Sequence, residues 1–169
     1  MGRKRVKFTP KPFETVGGKD VFANIYLSMI MSPAWRDLSA TQQRLYLYLK
    51  MQLFAEHPKP KTEQYPGGHE EYFTFNKSKW CTLYGIYSGT NLGGFTRDRD
   101  ALILHGFIKV VRDGQNTKTK TIYTYSAAWK TWGQPGFEIS TKDMPLSLNR
   151  KYRRMKSDAI EAINDATNN

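Results

Sequence analysis

Side chains capable of acid, base or metal chemistry occur in this sequence, but not at spacings that would let them cooperate. His57, His69 and His105 are scattered and make no paired-histidine motif. Cys81 is the single cysteine, so there is neither a disulfide framework nor a Cys/His metal spacing. Asp98 and Asp100 stand two apart on a predicted helix and therefore face different directions, a poor metal pair. Gly93 and Gly94 lack the Lys-Ser/Thr partner that a phosphate-cradling loop requires. Tyrosines that could attack phosphate are plentiful, but no catalytic constellation surrounds them. The expectation is a protein without enzymatic activity, metal or cofactor.

What the spacing does organise is hydrogen-bond donors. Thr90, Asn91, Thr96 and Arg97, with Asp100 beyond them, fall on the outward side of a helix predicted over 90–105. Its inward side is Leu92, Phe95 and Leu102, and it stops at Gly106, which can take the left-handed conformation at a helix end. A guanidinium or a side-chain amide can place two hydrogen bonds on one base edge. Arg97 is therefore the candidate for guanine and Asn91 for adenine. Pairing of Arg97 with Asp100, or with a phosphate, is the plainer alternative. Lys77 and Lys79 open a preceding helix capped by Asn76, where cations and backbone N–H groups hold phosphates. Lys118 and Lys120 alternate with Thr117, Thr119 and Thr121 in a polar loop that is either a basic tip for phosphates and an adjacent groove or a solvated hairpin end. Arg3, Lys4 and Arg5 lie in an acid-free stretch broken by Pro10 and Pro12, read as a flexible basic arm over 1–20. Such an arm adds nonspecific affinity; entry into a minor groove and a localisation patch are the other uses of short basic runs.

The composition agrees with a polyanionic partner. Lys and Arg number 26 against 15 Asp and Glu, a formal +11 over 169 residues, and 39% apolar residues suffice for one packed core with appendages. No stretch approaches the roughly 18 apolar residues of a membrane-crossing helix, and the basic start leads into prolines rather than an apolar export signal. Val6 stands where a myristoylation signal after Gly2 wants Ser or Thr. A cytoplasmic protein is expected.

The elements that must carry these donors follow from periodicity and caps. Residues 21–31 read as extended or strand-like, closed by Ser32 and Pro33, which begin a short helical turn through Trp35. Ser39 with Gln42 forms a capping box for a helix over 40–55, with Leu45, Leu49 and Leu53 on one stripe and Leu47, Met51 and Phe54 beside it. A loop rich in Pro, Lys and Gly covers 57–68. A short strand is expected over 71–75, then a helix from Asn76 with Trp80, Leu83 and Tyr84 on one face, a turn around Tyr87, Ser88 and Gly89, and the helix over 90–105. Strands over 107–112 and 121–125 form a hairpin around Asp113 and Gly114. Trp35, Trp80, Phe107 and Trp129 supply core bulk rather than stacking platforms for unpaired bases. Beyond a linker over 134–146, residues 147–169 form a C-terminal helix and tail. There Leu148, Tyr152, Met155, Ala159 and Ile163 line one face, which docks on its own domain or on a partner.

The order strand, helix, turn, helix, then Leu102 to Ile108, hairpin, and Ile122 to Tyr125 resembles a winged-helix domain spanning 21–133. More narrowly, Leu38 and Ser39 through Tyr48, the Gly106-Phe107-Ile108 turn, and Trp129-Lys130 resemble the winged helices of plasmid replication initiators, phage replication proteins and accessory proteins of conjugative elements. The resemblance covers about 26–132. It implies an α+β fold, a winged helix-turn-helix with a basic arm and a C-terminal helix. It also implies sequence-specific double-stranded DNA binding in replication, conjugative transfer or transcriptional control of a mobile genetic element, with a replication or transfer protein as the partner of the C-terminal helix. One position departs from the pattern: Arg99 stands three residues before Leu102, where such helices carry a buried apolar side chain. The competing class is a non-catalytic module binding protein or structured RNA, which would want an apolar outward face on 90–105; Leu104 is the only large outward apolar residue expected there.

Overall fold

The computed structural model describes residues 23–52, 72–75, 85–87, 92–114 and 119–167. The fold is mixed helix with a small two-stranded antiparallel sheet, an α+β arrangement. In chain order it comprises α1 (Leu27–Ile30), α2 (Pro33–Asp37), α3 (Ala40–Gln52), α4 (Leu92–Leu104), β1 (Ile108–Arg112), β2 (Ile122–Tyr125) and α5 (Leu146–Thr167), with 3-10 turns at Ala128–Thr131 and Thr141–Asp143. Among the described residues, no helix is long and apolar enough to cross a membrane.

The extended segment expected over 21–31 is corrected at its end: Leu27–Ile30 is one helical turn. The cause is local. Ser32 Oγ donates to the Met29 carbonyl at 2.7 Å, satisfying an acceptor that a helix end leaves open, and accepts from Trp35 N–H at 3.2 Å, so one hydroxyl closes α1 and caps α2. Pro33 occupies the first turn of α2, where its missing N–H costs nothing.

The capping box of α3 forms in both directions, with Ser39 N–H donating to Gln42 Oε1 at 2.9 Å and Gln42 N–H to Ser39 Oγ at 3.4 Å. Leu45 and Leu49 are fully buried, and Tyr46 joins them. The Tyr46 ring meets Phe107 at 5.1 Å and Trp35 at 5.8 Å, and burial pushes its phenol well above the usual tyrosine range. Gln43 Nε2 donates to the carbonyls of Trp35 and Leu38, holding α2 against α3.

Helix α4 lies against α3 and ends in a Schellman turn. Gly106 at φ +75° donates to the Ile103 carbonyl and Phe107 N–H to that of Leu102, both at 2.9 Å. The turn delivers Phe107 into the centre of the core, against Trp35, Tyr46 and Trp129, and starts β1 at once. β1 pairs with β2 in the register Ile108↔Tyr125, Lys109↔Thr124, Val110↔Tyr123, with an irregularity before Arg112↔Ile122. The strand expected over 71–75 reduces to a bridge in which Phe73 and Tyr123 exchange both backbone hydrogen bonds, at 2.9 and 3.0 Å. The Tyr125 hydroxyl donates to the Leu49 carbonyl at 2.5 Å and so ties the hairpin to α3.

Residues 134–146, read from sequence as a linker, bury Ile139 and Met144 in the same core. Asp113 reaches across from the hairpin: its Oδ2 accepts from Leu146 N–H at 2.7 Å, satisfying a donor in the first turn of α5. Leu148 is buried and Tyr152 packs against the core, whereas residues 153–161 are all exposed.

Candidate nucleic-acid interface

Three of the contact residues expected from sequence lie within the described residues: Thr96, Arg97 and Lys120. Arg3, Lys4, Arg5, Lys77, Lys79, Thr90, Asn91 and Lys118 lie outside them, as do Trp80, the side chain of Leu92 and the helix expected from Asn76.

Arg97 projects from α4 with 75% of its side chain exposed, and the next residue, Asp98, is 1% exposed. This contrast is built by a buried polar network. The Tyr87 hydroxyl donates to Asp98 Oδ2 at 2.9 Å, Gln42 Nε2 to Oδ1 at 3.3 Å, and Arg97 Nε to Oδ1 at 3.4 Å. A buried carboxylate requires such donors. Asp98 thereby pins α4 to α3 and to the turn at 85–87, and sets the rotation that turns Arg97 outward. The ion-pair alternative weighed for Arg97 takes a different partner, Asp98 in place of Asp100.

Asp100 is not an outward residue. It is largely enclosed and receives both Nε (2.9 Å) and Nη2 (2.5 Å) of Arg99 on Oδ1. Burial raises the Asp100 pKa above the ordinary carboxylate value, against the pull of the Arg99 charge. Arg99 occupies the position where an apolar side chain was expected. Burial alone would lower its pKa, but Tyr123 and Asp100 outweigh that and hold the guanidinium above its usual value. The departure from the pattern is therefore a local packing solution, a buried guanidinium compensated by a carboxylate and a phenol, and the phase of α4 is undisturbed: Phe95, Leu102 and Ile103 face the core. Leu104, expected outward, packs against that core instead.

Thr96 and Lys120 come together across a cleft of about 430 Å³ between α4, the returning arm of the hairpin and the start of α5. Arg99, Thr119 and Ser147 also line it, and Phe75, Phe95 and Tyr123 form its aromatic wall. The described residues on the two arms of the hairpin are tied across to one another. Thr121 Oγ1 donates to Asp113 Oδ1 at 3.3 Å and accepts from Gly114 N–H at 3.2 Å, and a Cβ on Gly114 would fall 2.1 Å from the Thr119 carbonyl oxygen. Two exposed cations on β1, Lys109 and Arg112, were not singled out from sequence. The alternation Ile108-Lys109-Val110 would have turned Lys109 outward once the strand was assigned.

His105, one of the scattered histidines, is engaged structurally. Its Nδ1 lies 2.8 Å from the Ala101 carbonyl oxygen and its Nε2 2.8 Å from Asp37 Oδ2, and its ring stacks on Trp132 at 4.8 Å. Comparison of the chain with protein-family models, with curated proteins and with solved structures returns no match.

Proposed function

We propose that this chain is a sequence-specific double-stranded DNA-binding protein built on a winged helix-turn-helix, with α4 as the reading helix and the β1–β2 hairpin as the wing. The observation that carries the reading is the placement of Thr96 on α4 across one cleft from Lys120 of the hairpin, with the next residue of α4, Arg97, exposed beside a buried carboxylate anchor. A helix that enters a major groove needs cationic and hydroxyl groups outward and little apolar surface. The inward packing of Leu104 removes the apolar feature that would have favoured a protein partner. The Phe73–Tyr123 bridge, which lays a preceding chain segment beside the hairpin, supports a winged topology. Service to the replication, transfer or transcription of a mobile element rests on the sequence resemblance, and a cytoplasmic location on the single Cys81.

Titration of a labelled duplex across salt concentrations tests the reading. With a formal +11, the chain is expected to lose affinity steeply and linearly in log–log form as salt rises, through release of condensed counterions. Absence of binding at low salt, or a flat salt series, refutes it.

A further inference from the structure

Helix α5 is 22 residues long, about 33 Å at 1.5 Å per residue, and among its described side chains those held by the rest of the molecule lie in its first half, up to Lys156. Leu148 is buried, Tyr152 packs on the core, Asn149 Nδ2 donates to the Thr141 carbonyl at 3.1 Å, and Lys156 pairs with Glu138. The apolar stripe that makes this attachment does not stop where the attachment does. Met155 and Ala159 continue it at the same i+3 and i+4 steps, and Met155 is 56% exposed; Ile160, beside Ala159, is 59% exposed. A solvated helical extension of this length is marginal by itself, since helices are stabilised mainly by packing of an apolar face.

The charge order adds a second, independent observation. Arg150, Lys151, Arg153, Arg154 and Lys156 crowd the first half of α5, and Asp158, Glu161 and Asp165 follow in the second. The first turn has no acidic residue and the last no basic one. This order opposes the helix dipole, which favours carboxylates at the N-terminus and cations at the C-terminus, so it does not serve the isolated helix. It does serve a pair of helices. A parallel copy would set cations against cations, whereas an antiparallel copy sets the cations of each helix against the carboxylates of the other and aligns the two dipoles favourably.

We propose that the exposed half of α5 is a self-association surface on which a second copy of this chain lays its own α5 antiparallel. Met155, Ala159 and Ile160 form the apolar seam, and the basic and acidic halves fix the direction. The occupant is a second copy because the surface is its own electrostatic complement when reversed end for end.

The test is light scattering after size exclusion, with sedimentation equilibrium, on the full chain over a range of concentrations and without DNA. The parent chain is expected to be a dimer that dissociates on dilution. M155E/I160E is expected to be monomeric at the same concentrations, with the parent's tryptophan fluorescence and a cooperative urea transition showing an intact core, and with a lower helical circular dichroism signal because the unpaired extension of α5 is marginal by itself. R153E/R154E and D158K/E161K are each expected to self-associate at least about tenfold more weakly than the parent, and their mixture to recover a heterodimer tighter than either alone. A monomeric parent overturns the proposal. So does a dimer indifferent to M155E/I160E, or a mixture that forms no heterodimer. If R153E/R154E leaves assembly untouched but weakens duplex binding, the basic half is a DNA surface and self-association through α5 is refuted.

Discussion

Gly106 joins the proposed reading helix to the proposed wing, and the cost of giving it a side chain can be worked from its surroundings. At φ +75° a non-glycine residue is strained by about 1 to 2 kcal/mol. A Cβ would also lie 2.6 Å from Trp129 N, 2.7 Å from the Ala128 carbonyl carbon and 2.8 Å from Ala128 Cβ. The nearest two are backbone atoms of a segment anchored by the Trp129 N–H to Gly106 carbonyl bond at 3.1 Å, so relief requires moving that turn. Overpacking of this kind costs about 1 to 3 kcal/mol. Gly106→Ala is therefore expected to destabilise by about 2 to 5 kcal/mol, a large share of the roughly 5 to 15 kcal/mol that holds a typical domain. Gly133 is the matched control: its φ is +79° but nothing lies within 4 Å of its added Cβ, so Gly133→Ala should carry the strain alone, about 1 to 2 kcal/mol. Equilibrium urea unfolding followed by tryptophan fluorescence measures both. With a slope of about 1 to 3 kcal/mol per molar urea, a loss of 3 kcal/mol lowers the midpoint by about 1 to 3 M at unchanged slope. Equal losses for the two variants would refute the claim that close approach to Ala128 and Trp129 makes Gly106 irreplaceable.

Further outcomes follow from the same geometry. On a preferred duplex found by selection from random sequences, Arg97→Ala should cost roughly 1 to 3 kcal/mol and on unrelated duplexes little, collapsing the specificity ratio; equal losses on both would make Arg97 a phosphate contact. Lys120→Ala should weaken both duplexes alike and make the salt slope shallower by about one unit, and a sequence-dependent effect would contradict its positioning role. Tyr87→Phe removes a hydrogen bond to a buried carboxylate and should destabilise by roughly 1.5 to 3 kcal/mol, with strong coupling to Asp98→Ala in a double-mutant cycle; additive losses would break the proposed network. Burial raises the pKa values of Tyr46 and Tyr123, Arg99 partly opposing it for Tyr123. A raised folded-state value means that the stability contribution is complete below the unfolded value of about 10 and is lost as pH rises through the folded values. Unfolding free energy should therefore fall above about pH 10 and fall less in Tyr46→Phe; a parent profile flat to strongly alkaline pH would contradict it.

Most local structure was legible because it is written in short-range chemistry. The Ser39–Gln42 capping box, the Ser32–Pro33 start of α2 and the Gly106 terminus of α4 each involve residues within a few positions of one another, and their physics is complete once the sequence is known. The same holds for the exposure of Arg97, because burying Phe95 and Leu102 turns it outward, whereas Thr96 is half-buried at the cleft and Asp100, read outward by the same periodicity, is enclosed.

What sequence could not decide are the pairings made across long separations. Asp98 is buried because Gln42, 56 residues away, and Tyr87 turn donors toward it. A carboxylate on a helix otherwise reads as solvated surface. Arg99 is tolerated at an apolar position because Tyr123 and Asp100 offer it acceptors there. The stretch 134–146 reads as a linker by composition, yet it places Ile139 and Met144 in the core, and Asp113 holds the start of α5 from 33 residues away. Composition and charge order by themselves determined that the chain is strongly basic and that its last helix is amphipathic and electrically reversed. Tertiary structure decided which part of that helix has a floor beneath it. The apolar stripe runs past the edge of the core, and only the packing of the core fixes where burial ends and solvent begins.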